Sequence, residues 1–474
     1  MGNKIKQASL VLVGLLAGVL LSLNFSAVAQ REAARFPLPV DELRAFAEVF
    51  GAIKSGYVEP VEDKKLITEA INGMLSGLDP HSAYLDQDSF RELQVGTQGE
   101  FGGLGIEVGM EDGFVKVISP IEDTPAYRAG LKPGDLIIKL DDTPVKGMTL
   151  NDAVKKMRGK PRTSIRLTIV RKGTQKPFEV TLMRDVVRVQ SVKSRMVEPG
   201  YGWVRVSQFQ EHTGENLVKH IGALYKQAPL KGLVLDLRND PGGLLNGAVG
   251  IAAAFLPPKV LVVSTDGRTE DAKRKFVASP EDYLRGSKDD YLKRLPAAVK
   301  FVPMVVLVNG GSASASEIVA GALQDHKRAT VMGTQTFGKG SVQTTMPLGN
   351  NTATKLTTAR YYTPNGRSIQ AKGIVPDLTV DEPNGTGLAR VREADLEKHL
   401  SNSQDKPGEK AAVSDKAKQP APKPATPDDT PAAPLEFASE KDFQFQQAMN
   451  FLKGLPVAQA QQRAETQNPL PKKN

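Results

Sequence analysis

A run of small residues at 309–318 places three serines between an apolar strand and a helical segment. The serines are Ser312, Ser314 and Ser316, and the glycines before them let the backbone turn sharply and approach a ligand closely. Backbone N–H groups at the start of a helix lack partners and carry partial positive charge. Acyl transfer requires a nucleophile beside such donors. The run is therefore a candidate nucleophile site. Helix capping by serine is the common alternative, and position on the helix does not choose among the three.

A second run, at 336–343, places Lys339 between Gly338 and Gly340. Glycines on both sides let the backbone bend so that the lysine can point inward. Burial disfavours the charged form of a lysine and lowers its pKa. A neutral lysine can act as general base for a serine hydroxyl. A solvated lysine in a surface turn is the alternative interpretation.

The same run nearly matches a phosphate-binding loop, since a G-x-x-x-x-G-K spacing ends at Lys339. Serine or threonine should follow to hold magnesium, but Gly340 stands there, and alternating residues after it predict a strand rather than a helix. A dinucleotide fingerprint beginning at Gly103 fails because Val108 takes the place of its last glycine. We therefore reject both nucleotide-binding interpretations.

A histidine-based triad has little support in the sequence. The chain has five histidines, and His326, next to Asp325, lies close in sequence to the serine run. Adjacent Asp and His side chains usually diverge, so we expect His326 on the surface at its helix end, where it favours the helix dipole. The chain has no H-E-x-x-H or comparable ligand spacing. We expect no catalytic metal and no cofactor.

A third candidate segment, 236–243, is a strand that ends in a Pro-Gly-Gly turn. Sites in α/β sheets form at the carboxyl ends of strands. The amides of Gly242 and Gly243 could face a ligand there and supply an oxyanion donor, while an ordinary turn is the alternative.

These segments need a scaffold, and the periodicity of the sequence changes along the chain. Residues 36–98 have helical spacing, short strand-like runs fill 99–185, and strands alternate with helices over 186–380, which predicts an α/β core. The predicted organisation is a signal peptide (1–29), an N-terminal helical region (30–98), a small β-domain (99–185), an α/β core (186–385) and a Pro-rich linker with a C-terminal helix (386–474).

The last region combines two kinds of sequence. Residues 402–434 contain seven prolines and almost no large apolar side chains, which predicts a linker that cannot bury enough surface to fold. A last helix is predicted to start at Ser439, with Asp442 in the place of a capping-box acid. We expect it to dock on a partner subunit or on the core.

The composition excludes several classes of protein. A chain of 474 residues suggests roughly two to four domains. Its 40% hydrophobic and 24% charged residues exclude a fully disordered chain and a polytopic membrane protein. The net charge of +9 is spread along the chain with no basic block, which argues against a nucleic-acid partner. Cysteine is absent, so disulfides, thiolate metal sites, a cysteine nucleophile and a lipoprotein anchor are excluded.

The first thirty residues have the pattern of an export signal. Lys4 and Lys6 precede an apolar run at 8–23, and the small-residue site at 27–29 follows, as in a secretory signal peptide. The run is shorter than the roughly 20 residues of a membrane span, and an uncleaved anchor is the alternative. We expect the rest of the chain to work in the periplasm or cell envelope.

Over residues 40–385 the chain resembles the carboxyl-terminal processing proteases, tail-specific Ser/Lys endopeptidases of peptidase family S41. The resemblance implies an α+β or α/β multidomain protein, with a crotonase-like (ββα) protease core, an inserted PDZ domain and an N-terminal helical region. It rests on several long strings rather than one short motif: 311–318 with 320–325, 336–343, 236–243, 362–366 with 373–377, and 73–75 with 78–82.

The resemblance also implies roles for residues of the core. Ser314 corresponds to the nucleophile, because the family lysine lies 25 positions downstream of its serine and Lys339 stands at that distance. Lys339 corresponds to the general base and Gln343 to the residue that orients it. The oxyanion hole would be formed by the amide of Ala315 with one from Gly242 or Gly243.

The β-domain resembles a PDZ domain, which binds a peptide as an added strand with its terminal carboxylate on loop amides. Arg158 resembles a residue that couples this domain to the protease in relatives. Arg162 stands where glycine is frequent, which leaves the coupling contact open. The residues that correspond to the carboxylate-binding loop are Gly103, Leu104, Gly105 and Ile106.

The resemblance implies an exported serine endopeptidase that recognises substrate C-termini through its PDZ domain and processes or degrades envelope proteins, cell-wall hydrolases among them in some relatives. We expect protein or peptide substrates and a homo-oligomer; the need for an adaptor protein stays open. A catalytically inactive PDZ scaffold that presents clients to another enzyme is the competing class. A crotonase-like acyl-CoA enzyme shares the core architecture, but the export signal opposes a cytoplasmic cofactor.

Overall fold

The computed structural model describes residues 38–121, 124–174, 176–188, 190–286, 289–381, 391–405 and 436–458. The expected signal peptide and most of the expected proline-rich linker lie outside these residues. Within the described ranges, no helix combines the length and the apolar character needed to cross a membrane. Of the described residues, those up to Met74 form one compact unit, and those from Leu75 form a second.

The first unit holds the helices that the periodicity predicts, α1 (Val40–Gly56) and most of α2 (Asp63–Ser76). An ion pair between Lys54 and Asp63, with N···O of 2.7 Å, joins the end of α1 to the start of α2. The apolar stripe of α1 is exposed: Leu43 and Phe46 keep 49% and 46% of their surface accessible. Burial against other described residues therefore does not account for the apolar stripe of α1.

The second unit begins with a short strand and a capped helix, β1 (Ala83–Leu85) and α3 (Gln87–Gln98). The Asp86 side chain accepts a hydrogen bond from Ser89 N–H and so caps the start of α3, and Gly99 ends it in a left-handed conformation.

The predicted β-domain is an antiparallel sheet with two short helices, α4 (Pro125–Arg128) and α5 (Leu150–Met157). Thr149 caps α5 in a capping box. The domain is entered through β2 (Glu100–Gly103) and left through β9 (Asp185–Arg188), which pair with each other. The sheet, in spatial order, consists of β3 (Ile106–Glu111), β4 (Phe114–Pro120), β5 (Leu136–Leu140), β7 (Ser164–Val170) and β8 (Phe178–Met183), with β6 (Thr143–Pro144) beside β5.

The core contains a six-stranded sheet whose first pair is antiparallel and whose other neighbours are parallel. Helices α6 (Thr213–Gln227), α7 (Leu245–Phe255) and α9 (Ala315–Asp325) alternate with its strands, and the short α8 (Pro280–Tyr283) packs against α7. In spatial order the strands are β10 (Val192–Glu198), β11 (Tyr201–Val206), β12 (Gly232–Asp236), β15 (Met304–Val308), β16 (Thr330–Gly333) and β19 (Leu378–Thr379).

A second, antiparallel sheet completes the core and includes β1 at one edge. The strand predicted after Lys339 from alternating residues is present here as β17 (Ser341–Pro347). The other members are β13 (Leu261–Gly267), β14 (Arg274–Val277) and β18 (Ala353–Tyr362).

The parallel sheet is buried on both faces, and the C-terminal helix α10 (Phe443–Leu452) covers one of them. Val234 and Leu307 face α10, whereas Leu235 and Val306 face the helices of the other side. This explains why β12 and β15 are continuous apolar runs. The helix therefore docks on its own core. It begins at Phe443 rather than at the predicted Ser439, because the Asp442 side chain caps it by accepting from Phe445 N–H.

The parallel order β12–β15–β16 brings three loops together. Each of the three candidate segments follows the carboxyl end of one of these adjacent strands, at 237–243, 309–314 and 334–340. Parallel neighbours end at the same edge of a sheet, so the segments that chain order separates meet at one site.

Candidate active site

Ser314 occupies the N-cap of α9 in a conformation that residues with side chains rarely adopt. Its φ is 54° and its ψ is −110°, and such strain costs roughly 1–3 kcal/mol. Two hydrogen bonds hold this backbone: Ala313 N–H donates to Asp240 O at 3.0 Å, and Ser314 N–H donates to Glu317 Oε2 at 2.8 Å. The residue keeps 8% of its surface accessible. A serine is therefore held at the mouth of a helix by bonds that do not involve its hydroxyl.

Hydrogen bonding distinguishes the three serines that position on the helix could not. Ser312 Oγ donates to Leu237 O at 2.8 Å, and Ser316 Oγ donates to Asp240 O at 2.9 Å. These two hydroxyls fasten the serine run to the neighbouring 237–243 loop. Ser314 Oγ faces the N–H of Glu317 in a capping box, and within the described residues its own proton is donated to no group. Ser314 is thus the serine whose hydroxyl remains available for chemistry.

A buried carboxylate joins the serine run to the lysine run. Glu317 is fully buried, and its Oε1 accepts from Thr336 Oγ1 and, at 2.7 Å, from Gly338 N–H. Its Oε2 accepts from the N–H groups of both Ser314 and Lys339, at 2.8 and 2.9 Å. Burial raises the pKa of Glu317 to about 7 against the opposing effect of these donors. The backbone N–H groups of the two candidate catalytic residues, Ser314 and Lys339, therefore donate to the same oxygen atom of Glu317.

The two glycines beside Lys339 are required by the shape of its loop. Gly338 has a φ of 99°, which favours glycine. A Cβ on Gly340 would lie 2.2 Å from the backbone N of Gln370. The backbone around Lys339 therefore has the bend that the sequence predicts from these glycines.

The charge environment of Lys339 contains groups of both signs. Burial lowers the pKa of the Lys339 ammonium, and the nearby charge of Lys355 lowers it further. The carboxylates of Glu393, Glu317 and Asp79 act in the opposite direction. The net direction is downward, which favours the neutral amine that a general base needs.

Within the described residues, no hydrogen bond joins Ser314 Oγ to Lys339 Nζ. The structure brings the two backbones side by side at Glu317, and a side-chain movement is needed to complete a proton-transfer contact. Long catalytic contacts are common in enzymes without substrate.

Gln343 lies on β17, and the hydrogen bonds described for its side chain go to residues other than Lys339. Its Nε2 donates to Ser341 Oγ at 3.0 Å and to Thr357 Oγ1 at 3.1 Å. Thr357 Oγ1 in turn donates to Asp79 Oδ1 at 3.0 Å. Within the described residues, the hydrogen bonds of Gln343 lead through Thr357 to Asp79, whose charge acts on Lys339.

The candidate oxyanion residues lie against Ser314. A Cβ on Gly242 would lie 2.8 Å from the N of Ala315 and 2.9 Å from the Cβ of Ser314. Gly242 N–H, however, donates to the side chain of Asp240. Within the described residues the N–H groups of Gly243 and Ala315 donate to no acceptor. Gly243 is therefore the better second donor of the two glycines.

Asp240 is a buried carboxyl group with one unpartnered oxygen. Its Oδ1 accepts from Gly242 N–H at 2.9 Å, while its Oδ2 bonds to no group within the described residues. Burial raises the pKa of Asp240 to about 8. The turn that carries the candidate oxyanion donors is thus held by a carboxyl group that stays protonated at neutral pH.

A buried ion cluster that local sequence patterns did not predict lies beneath the same turn. Arg238 is fully buried between Asp236 and Asp442, each with an N···O distance of 2.7 Å. Asp442 also caps α10, and Trp203 Nε1 donates to Asp236. The C-terminal segment is therefore tied to the strand end that carries the 237–243 loop.

The residues at the C-terminal end of α9 have structural partners. Asp325 accepts from Asn365 N–H at 2.9 Å and pairs with Arg367. His326 Nε2 is hydrogen-bonded to Leu261 O at 2.7 Å. Neither residue lies at the end of the helix that Ser314 occupies, so a triad with His326 has no geometric support.

The predicted carboxylate-binding loop joins β2 to β3. Gly103 ends β2, Leu104 and Gly105 form the loop, and Ile106 begins β3. Leu104 O accepts from Ala126 N–H at 2.9 Å, which turns this carbonyl into the domain. The N–H groups of Leu104 and Gly105 donate to no acceptor within the described residues, so they remain for a ligand.

Arg158 lies where the domain meets the paired strands β2 and β9. Its guanidinium carbon is 4.8 Å from the centroid of the Phe101 ring in β2, within cation–π range. The next residue, Gly159, donates its N–H to Gly102 O at 3.1 Å. The predicted coupling residue thus contacts the strand that leads into the carboxylate-binding loop.

Comparison with known proteins identifies the family. Residues 200–380 match the model of peptidase family S41, residues 102–182 match the PDZ domain, and residues 22–89 match the N-terminal domain of the activating protease CtpB. The chain is 48% identical over 372 residues to a carboxy-terminal-processing protease of Bartonella bacilliformis, covering 77% of this chain and 82% of that protein. The chain belongs to the carboxy-terminal-processing proteases.

A second relative agrees with this assignment, and a solved structure is also similar to the chain. The carboxy-terminal processing protease CtpB of Bacillus subtilis is 36% identical over 341 residues, covering 71% of this chain and 67% of that protein. A solved structure titled photosystem II D1 C-terminal processing protease is 31% identical and covers 69% of this chain and 84% of that chain, with a TM-score of 0.40. By its family matches the chain is an S41 peptidase with a PDZ domain, and its fold is mixed α/β and multidomain.

Two parts of the site in this processing protease have a signal in the local sequence. Glu317 stands three positions after Ser314, the spacing of a capping box, and could have been identified as the residue that binds the serine amide. Asp236 and Arg238 are charged residues at the end of an apolar strand, where burial forces them to pair. Glu393 has no such local signal, and the capping pattern around Asp442 indicates its place at the start of the last helix but not its bond to Arg238.

Proposed function

We propose that the chain is an exported endopeptidase that recognises substrate C-termini through its PDZ domain and cleaves by a Ser/Lys acyl-enzyme mechanism. The observation that carries the proposal is the shared carboxylate oxygen of Glu317, which holds the amides of Ser314 and Lys339 together. The hydroxyl proton of Ser314, which no described group accepts, and the lowered pKa of Lys339 support the roles of nucleophile and base.

In the proposed reaction, neutral Lys339 takes the proton of Ser314 Oγ as that oxygen attacks the scissile carbonyl carbon. The N–H groups of Ala315 and Gly243 stabilise the oxyanion of the tetrahedral intermediate. Protonated Lys339 then gives its proton to the leaving amine, and an acyl-enzyme remains on Ser314. Water, deprotonated by Lys339, releases the acid and restores the serine. Gln343 acts on the lysine through the Asp79 network rather than by direct contact.

The PDZ domain is proposed to gate this reaction. A substrate C-terminus binds the N–H groups of the 103–106 loop, and the peptide adds to the sheet as a strand. The domain is tethered through paired strands β2 and β9, and Arg158 stacks on β2. Binding there can favour an arrangement in which Lys339 reaches Ser314, to the extent that the tail binds that arrangement more tightly.

The location and partners belong to the same proposal. The N-terminal sequence supports export to the periplasm or cell envelope, with envelope proteins such as cell-wall hydrolases as substrates. The exposed apolar face of α1 supports self-association into a homo-oligomer. An adaptor protein would act by presenting substrates or by favouring the aligned site.

The decisive experiment is digestion of β-casein and of a reporter protein with and without an apolar C-terminal tail. We expect the wild type to cleave, Ser314→Ala to be inactive, and deletion of the PDZ domain to abolish the preference for the tailed reporter. An inactive PDZ scaffold would bind the tailed reporter without cleaving it. Equal cleavage by Ser314→Ala and wild type would exclude the mechanism, and an unchanged tail preference after PDZ deletion would exclude the gate.

A further inference from the structure

Residues 391–405, which we call the strap, lie beyond the region that matches the S41 model and pack onto the core. Glu393 is fully buried, and Asn402 keeps 4% of its surface accessible. Asn402 Nδ2 donates to Gln370 O at 2.7 Å, and Glu393 N–H donates to Phe337 O at 3.1 Å. The strap therefore touches the lysine loop directly at Phe337. A region predicted as linker behaves here as part of the core.

Glu393 stands at the centre of a chain of hydrogen bonds that ends beside Lys339. Gly340 N–H donates to Gln370 Oε1 at 3.0 Å, and Gln370 Nε2 donates to Glu393 Oε1 at 2.8 Å. The other carboxylate oxygen, Oε2, lies 2.8 Å from His81 Nε2. One carboxylate thus joins three segments that are distant in sequence: the turn at 79–82, the lysine loop and the strap.

This inference rests on the proposed role of Lys339 as base. We propose that the strap holds the lysine loop in place and that Glu393 is the residue that positions Lys339, fixing both the position and the charge state of the lysine. The region that matches the S41 model would by itself leave Gln370 and Gly340 without this support.

The charge of Glu393 acts on Lys339 in a definite direction. Lys339 is faced by Lys355 from β18, Glu317 from α9, Asp79 from the turn at 79–82 and Glu393 from the strap. Glu393 is itself faced by His81 and Lys339. A negative charge on Glu393 favours the ammonium form, so its removal favours the neutral amine at a lower pH.

Two substitutions separate the effect of the charge of Glu393 from its effect on the position of the lysine loop. Glu393→Gln keeps the length of the side chain and an oxygen for Gln370 but removes the charge. Glu393→Asp keeps the charge but shortens the reach. Glu397, which is exposed in the same strap, provides the matched control Glu397→Gln, with the same change of charge. Folding of each variant is checked by the fluorescence of Trp203, the single tryptophan of the chain.

The test is the initial rate of β-casein cleavage by the full chain between about pH 5.5 and 9.5, analysed as kcat and kcat/KM. Glu393→Gln should move the acid limb of kcat/KM downward by about half a pH unit or more, whereas Glu397→Gln should superimpose on wild type. Glu393→Asp should leave the limb in place and lower kcat several-fold with KM unchanged.

Superimposed profiles for Glu393→Gln and wild type, or an upward shift, would overturn the proposal. If Glu393→Gln does not fold, a wild-type kcat for Glu393→Asp overturns it instead. Lys339→Ala and Ser314→Ala are measured beside these variants. Full activity in either would overturn the proposed function and this inference together, while inactive dyad variants with an unshifted Glu393→Gln profile overturn this inference alone.

Discussion

Replacing Asp240 with asparagine should make the protein more stable, by an amount that depends on pH. Asp240 is buried with Oδ2 unpartnered, and its pKa is raised to about 8 from the ordinary 3.8. Between these values the folded protein holds a proton that the unfolded chain has lost. Its stability therefore falls as pH rises, by about 1.4 kcal/mol per pH unit.

The size of the effect follows from the separation of the two pKa values. At pH 7 the carboxyl group costs about 4 kcal/mol relative to a group that never ionises. Asparagine keeps the oxygen that accepts from Gly242 N–H and places an amide nitrogen, equally without a partner, at the position of Oδ2. Asp240→Asn should match wild type near pH 4, exceed its stability by about 4 kcal/mol at pH 7, and gain little more above about pH 8.

The assay is urea unfolding followed by the fluorescence of Trp203, which is buried in the sheet and bonded to Asp236. The free energy of unfolding is compared between wild type and variant at intervals from about pH 4.5 to 8.5. Glu317, whose pKa is also raised, contributes to both proteins and cancels in the difference. Asp266→Asn, at an exposed position, is the control and should give a difference near zero throughout. A difference independent of pH would refute a protonated Asp240.

Three further substitutions test the site and its scaffold. Glu317→Gln should lower activity by about 100-fold in a β-casein assay. The reason is that an amide nitrogen would face N–H donors that share a carboxylate in the wild type. Activity near wild type would contradict a role for Glu317 in holding the two amides together. Gly340→Ala should lower activity at least about tenfold, since its Cβ would meet the Gln370 backbone. Gly349→Ala, with open space around it, should leave activity unchanged. Equal activities of the two variants would contradict the requirement for glycine in the Lys339 loop. Asp442→Ala should lower the free energy of unfolding in urea by about 3 kcal/mol, because it leaves Arg238 buried with one partner fewer. Lys453→Met, which breaks a partly exposed pair with Glu198, should lower it by less than about 1 kcal/mol.

Local patterns predicted most of the elements that carry the site. The apolar runs at β12 and β15 and the helical spacing of α9 needed only neighbouring residues to be recognised. The parallel pairing that brings three loops together was implied by the alternation of strands and helices. The family resemblance supplied the choice of Ser314, which the hydrogen bonds of Ser312 and Ser316 now support independently.

The contacts that escaped prediction join residues that lie far apart in the chain. Glu393 is bonded to His81, more than 300 positions earlier, and Asp442 is bonded to Arg238, about 200 positions earlier. No local periodicity encodes such pairs, because they arise only when the sheet order is set. The hydrogen-bonded path from Gln343 through Thr357 to Asp79 likewise joins segments that are distant in the chain.

The central claim is that Ser314 becomes acylated with Lys339 as its base. The most direct measurement is mass spectrometry of the protein quenched in acid after brief reaction with a 4-nitrophenyl ester, with the modified peptide sequenced. The acyl group should lie on Ser314, be absent from Ser314→Ala, and form about 100-fold or more slowly in Lys339→Ala. Acylation of Ser312 or Ser316 instead, or an unchanged rate in Lys339→Ala, would contradict the mechanism.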